Sequence, residues 1–249
     1  MSNVIFEACV DSIDSALNAE LGGARRIELC DNLPEGGTTP SAGCIKQVID
    51  NLSIDINVLI RPRGGDFLYS DSEFEIIKQD IQYVKNMGIH GVVIGVLRQD
   101  GNIDIPKMKQ LVDLARPLSI TFHRAIDMTP EPFRSLEEII DLGIDRILTS
   151  GQAKTAWRGS KLIAQLVKKA NDRIIIMAGS GINESNIRKL VDITGIRECH
   201  ATARSKVTSK MRYPGNNQKA ELQSQLFDYD RMVTDATKIR NMLSGLELI

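Results

Sequence analysis

RIELCDNLPEGGTTPS, residues Arg26 to Ser41, decides how this chain is read. Its first five residues form a β-type run, and because side chains alternate along a strand, Glu28 and Cys30 share one face. A Pro/Gly loop ends the run. Thr39 followed by Pro40 then predicts a helix from Pro40 to Asn51, with the threonine as cap and the proline in the first turn. A carboxylate and a thiol at a strand end, followed by a loop and a helix, is how a β/α enzyme builds a site.

The same grammar runs outward in both directions. Val4–Cys9 predicts a strand that ends in EAC, much as Arg26–Cys30 ends in ELC, and Asp11 is the expected cap of a helix to Leu21. Further strands are expected at Ile56–Arg61, Gly91–Gly95, Leu118–His123, Arg146–Thr149, Ile174–Ala178 and Arg197–Ala201, with a helical pattern after each of the first five. Ser70 and Glu73 have capping-box spacing, Thr129-Pro130 opens a helix, and Asn183 caps another. Residues 206–228 predict a long irregular loop and 229–243 a final amphipathic helix. Eight parallel-type strands alternating with helices predict a closed (β/α)8 TIM barrel. The chain has 249 residues, close to one such barrel, and no Pro-, Gly- or Ser-rich linker divides it, so residues 1–249 read as a single domain.

Composition narrows the function. Net charge is −1, so no global field draws the chain to nucleic acid or a membrane surface. No apolar run approaches the roughly 20 residues that span a bilayer. The opening MSNVIFE lacks the regions of a signal peptide, which makes the cytoplasm the expected location. Four cysteines, Cys9, Cys30, Cys44 and Cys199, are too sparse for a disulfide scaffold.

In barrels of this type the active site gathers at the C-terminal strand ends. Those ends carry Glu7 with Cys9, Glu28 with Cys30, Arg61, His123 and Glu198 with His200. As an enzyme, the chain would use Glu7 and Glu28 as base and acid, Arg61 as an anion clamp and His123 as a proton carrier near neutral pH. AGSGI after the seventh strand offers backbone N–H groups, so Gly179, Ser180 and Gly181, with Arg204 for charge, form the expected anion site of a small phosphorylated or carboxylated metabolite. If Cys9 and Cys30 face inward together, two soft sulfurs suit Cu(I) or Zn(II). Cys44 and Cys199 read as packing residues, as free cysteines usually are.

Together these stretches resemble the CutC family of copper-homeostasis proteins. The resemblance rests on RIELCxxLxEGGTTPS, IRPRGGDFxYSD, TFHRAID, ILTSG, MAGSGI and HATAR, and spans Val4 to Arg204. It implies a TIM barrel, cytoplasmic residence, a homo-oligomer and a role in binding or trafficking copper, with Cys9 and Cys30 as the Cu(I) ligands. Ile126 stands where the family often carries Phe, a change expected to affect packing alone.

Overall fold

The computed structural model describes residues 4–210 and 230–247. Eight parallel strands close a barrel in sequence order: β1 (Ile5–Val10), β2 (Arg26–Leu29), β3 (Asp55–Leu59), β4 (Gly91–Ile94), β5 (Ser119–Phe122), β6 (Arg146–Thr149), β7 (Ile175–Gly179) and β8 (Glu198–Ala201). The (β/α)8 architecture is therefore present. Among the described residues, a helix follows each of the first seven strands: α1 (Ile13–Leu21), α2 (Ala42–Asn51), α3 (Asp71–Asn86), α4 (Ile105–Ala115), α5 (Pro132–Asp141), α6 (Ser160–Ala170) and α7 (Ile187–Thr194). The main core lies between this ring and the barrel wall, where Leu29, Val58, Phe122 and Ile147 meet Ala16, Ile81, Leu111 and Leu166. Ile126 is buried in the same core. Among the described residues, no helix is long and apolar enough to cross a membrane.

Several helix starts differ from the expected ones because the expected cap is bound elsewhere. Thr39 is pinned to β3, accepting from the Arg61 amide and donating its own amide to the Arg61 carbonyl, both at 2.9 Å, and Ser41 caps α2 instead. Ser12 rather than Asp11 caps α1. Thr129 closes a 3-10 turn over Arg124–Met128, so α5 opens three residues later than expected. Asn183 holds a turn by accepting from the Ser185 amide, which leaves Asn186 at the N-terminus of α7. The Ser70–Glu73 capping box forms as read.

The C-terminal region departs further. Arg204–Val207 forms β9, paired antiparallel with β10 (Arg231–Thr234), so neither the start of the expected loop nor the start of the expected helix is right. Thr234 explains the strand, since its amide donates to Ser15 and its carbonyl accepts from Asn18, tying β10 to α1. The helix α8 begins after this anchor and runs Ala236–Glu247. Its buried Ile239 packs on Gly22, where an added Cβ would lie 2.8 Å from the isoleucine Cβ. Residues 211–228, most of the expected loop, lie outside the described residues.

Inside the barrel the lower layer is ionic. Arg26 Nε donates to Glu7 at 2.5 Å, and its Nη2 reaches Glu198. Arg146 also binds Glu198, with Nε at 2.5 Å and Nη2 at 3.2 Å, and Asn57 donates to Glu7 at 3.2 Å. All of these side chains are buried. Breaking a buried pair strands the partner charge, which costs far more than losing a surface pair. Glu198→Gln is therefore expected to lower unfolding free energy by about 3–5 kcal/mol in urea denaturation. Arg173→Ala, which removes the exposed 2.6 Å pair with Glu137, should leave it nearly unchanged.

Candidate functional site

Above the ionic layer, the strand ends surround a cavity of about 370 Å³. The period-2 alternation of β1 and β2 turns Cys9, opposite Glu28, and Cys30, just past the end of β2, into the barrel, with their sulfurs 3.8 Å apart. Leu59 and Val93 pack around them as a small apolar cluster separate from the main core. Cys30 also donates to the Val10 carbonyl at 3.5 Å. Hydrogen bonding to Cys30, burial and the nearby Glu28 charge push the Cys9 thiol well above its usual range, so it is protonated at neutral pH. Cys199 packs in the main core, where burial lifts its thiol to about 12. Cys44 lies half-buried in α2.

Glu7 and Glu28 are neighbours with opposite environments. Burial opposes ionisation of Glu7, but the His200 hydrogen bond and the Arg26 charge outweigh it and hold the carboxyl at about 2. His200 Nδ1 donates to Glu7 Oε1 at 2.8 Å. Burial opposes the charged form of His200 too, yet Glu28, Cys9 and Glu7 together raise it well above its ordinary value. Glu28 has fewer supports: Oε1 lies 4.0 Å from the Cys9 sulfur, and Oε2 is buried without a hydrogen-bond partner. Burial lifts its carboxyl to about 7 against the pull of His200.

The facing wall corrects two expected roles. His123 Nδ1 accepts from the Ala125 amide at 3.2 Å, which leaves the proton on Nε2, and that atom is buried and unpaired. Burial and the Arg61 charge hold its pKa down at about 3, so the ring is neutral near pH 7. Phe67 packs against the ring at a 41° tilt with centroids 4.6 Å apart, and Gly95 makes room, since a Cβ there would lie 2.5 Å from the ring. Arg61 is not a free clamp. Its Nη1 donates to the carbonyls of Glu35 and Gly37 and its Nη2 to that of Gly65, leaving only Nε unpaired.

The expected anion site is only partly assembled. Ser180 and Gly181 line the cavity, both with left-handed backbone. Gly179 lies against Leu148 and His200 rather than on the cavity surface. Arg204 is directed to Asp11 at 3.3 Å and does not line it. Arg124, beside His123 in the TFHRAID motif, supplies the rim cation instead, held by Asp127 and Ser150.

Among the described residues, two groups of side chains bring metal-donor atoms within 4.8 Å of one another: Cys9, Glu28 and Cys30, and Glu7, Glu28 and His200. In the second, Glu7 and His200 are already bound to each other and Glu7 also to Arg26. The first is chemically freer. With metal–thiolate bonds of about 2.3 Å, two sulfurs can stand up to about 4.6 Å apart across one ion. The observed 3.8 Å suits a shared ion without movement.

The model of the CutC family matches residues 4–205. The chain belongs to the CutC family. It is 50% identical to a CutC family protein of Parabacteroides distasonis over 95% of this chain and 98% of that one. It is 46% identical to a mouse protein named copper homeostasis protein cutC homolog, over 96% and 88% of the respective chains. A solved CutC structure from Streptococcus agalactiae superposes with a TM-score of 0.77 at 34% identity, covering 80% of this chain and 98% of that one.

The displaced pKa of Glu28 has a stability signature. Its folded-state value is raised, so its contribution is present below about 4.5 and is lost as pH rises towards about 7. Glu28→Gln should therefore raise the melting temperature more at pH 8 than at pH 4.5, as measured by calorimetry at both values.

Proposed function

We propose that this chain binds Cu(I) as cargo through the thiolates of Cys9 and Cys30, and that this binding underlies a role in copper homeostasis. The observation that carries the reading is the pair of buried sulfurs 3.8 Å apart in an apolar pocket beneath the barrel mouth. Two thiolates in an apolar shell favour a soft monovalent ion, and the name borne by the mouse relative points to the same metal. Glu28 adds one oxygen beside the sulfurs, a harder donor that would complete the contact without displacing them. The reducing cytoplasm expected for the chain would keep both thiols free.

Both cysteines must lose their protons to bind the ion, so affinity depends on pH. The raised pKa of Cys9 means that a proton is displaced throughout the neutral range. Apparent affinity should fall by up to about tenfold per pH unit of acidification for each proton displaced. Competition titrations against a Cu(I) chelator under reducing conditions read this slope directly. Cys9→Ser with Cys30→Ser should abolish binding and leave the circular dichroism spectrum unchanged, while Cys44→Ser should bind as the parent does. Equal binding by the double variant would reject these ligands. Assembly into a homo-oligomer is part of the same proposal, and equilibrium sedimentation would give a single chain mass if it is wrong.

A further inference from the structure

We infer that the cavity above the two cysteines is a binding site for a small hydroxylated organic anion. The inference starts from where hydrogen bonding is left incomplete. Buried polar groups nearly always find partners, because an unpaired one gives up its hydration and gains nothing in return. Among the described residues, four buried side-chain atoms lack one: Glu28 Oε2, Arg61 Nε, His123 Nε2 and Tyr69 Oη. Three of those four residues line this one cavity. Each of the three is only 5% exposed, so bulk solvent does not satisfy them.

Their chemistry is complementary to one kind of ligand. Arg61 Nε and His123 Nε2 both present N–H donors, the second because Nδ1 is occupied by the Ala125 amide. The neutral state of His123 keeps it a donor without adding charge. Arg124 places a second guanidinium at the rim, with Ser180 and Gly181 beside the opening. This side suits a carboxylate or phosphate. Glu28 Oε2 supplies an acceptor, which suits a ligand hydroxyl. Leu59, Phe67 and Leu148 form apolar wall between these polar groups. A volume of about 370 Å³ lies at the lower end of ordinary ligand pockets and fits a metabolite of a few carbons rather than a nucleotide.

Such a ligand would lie with its acidic group against Arg61 and His123 and a hydroxyl against Glu28. The inference does not rest on copper. Cys9 lines the cavity and Cys30 does not, and each unpaired atom belongs to a residue other than the two cysteines.

The test is a thermal-shift and saturation-transfer NMR series on the full chain with a copper chelator present, so that failure of the copper reading leaves it unaffected. The probes are glycerate and lactate as carboxylates, glycerol 3-phosphate and ribose 5-phosphate as phosphates, and glycerol and ribose as uncharged controls. At least one anion should bind and raise the melting temperature while its uncharged counterpart does not, and the series shows whether carboxylate or phosphate is preferred. His123→Phe, which keeps the ring against Phe67 but removes the N–H, should weaken that binding at least tenfold. Glu28→Gln should weaken binding of the hydroxylated anions relative to the parent, and Cys44→Ser should bind as the parent does. No response to any anion, or equal affinity in folded His123→Phe and Glu28→Gln variants, would overturn the inference.

Discussion

Two guanidinium groups inside a closed barrel impose the constraint from which the rest of the site follows. Arg26 and Arg146 would be prohibitively costly in that hollow without carboxylates, and Glu7 and Glu198 supply them at hydrogen-bonding distance. Because Arg26 touches both acids, the layer is a connected network and not two separate pairs. It fixes the rotamer of Glu7, and Glu7 in turn orients His200. Glu28, one layer higher, faces a histidine already committed elsewhere. Burial is the first cause of the raised Glu28 pKa, with the Glu7 charge beneath adding to it, and its Oε2 is left without a hydrogen-bond partner.

The mouth is held by a second cation acting in a different way. Arg61 joins the loop after β2 to the loop after β3 through three carbonyl oxygens, and Phe67 lies against its guanidinium at 5.1 Å. Gly36, at φ +87, lets the first loop close on it, since a Cβ there would lie 3.4 Å from Nη1. Arg61 is therefore chiefly a strap, with three of its five N–H groups given to loop carbonyls, which explains why a residue that reads as an anion clamp is mostly consumed by the fold.

The barrel was legible because its signals are periodic and repeated. Eight apolar runs alternate with helical patterns, and the parity of Glu7, Cys9, Glu28 and Cys30 places them on the same inner face. What the sequence concealed was partnership. Arg26, Asn57 and Arg146 stand at strand starts with inward parity, a signal that was available, yet only the closed barrel brings Arg26 to Glu198 across 172 positions of sequence. Arg204 sits beside a glycine-rich turn in the motif order but is captured by Asp11. Thr39 reads as a cap because of the proline after it, whereas a tertiary bond to Arg61 decides its role. At the C-terminus, Met232 and Val233 fit a helical face and a strand equally well, and the anchor of Thr234 on α1 selects the strand.

The cysteine pair is the part of this arrangement with the least obvious structural need. Two apolar residues would fill the pocket formed with Leu59 and Val93 equally well. The thiols therefore carry the central claim, and X-ray absorption at the copper K-edge of Cu(I)-loaded protein tests it most directly. The account predicts two sulfur scatterers at about 2.3 Å, with one lost in Cys9→Ser and one in Cys30→Ser. A first shell made only of nitrogen and oxygen, or sulfur scattering unchanged in either variant, would contradict it.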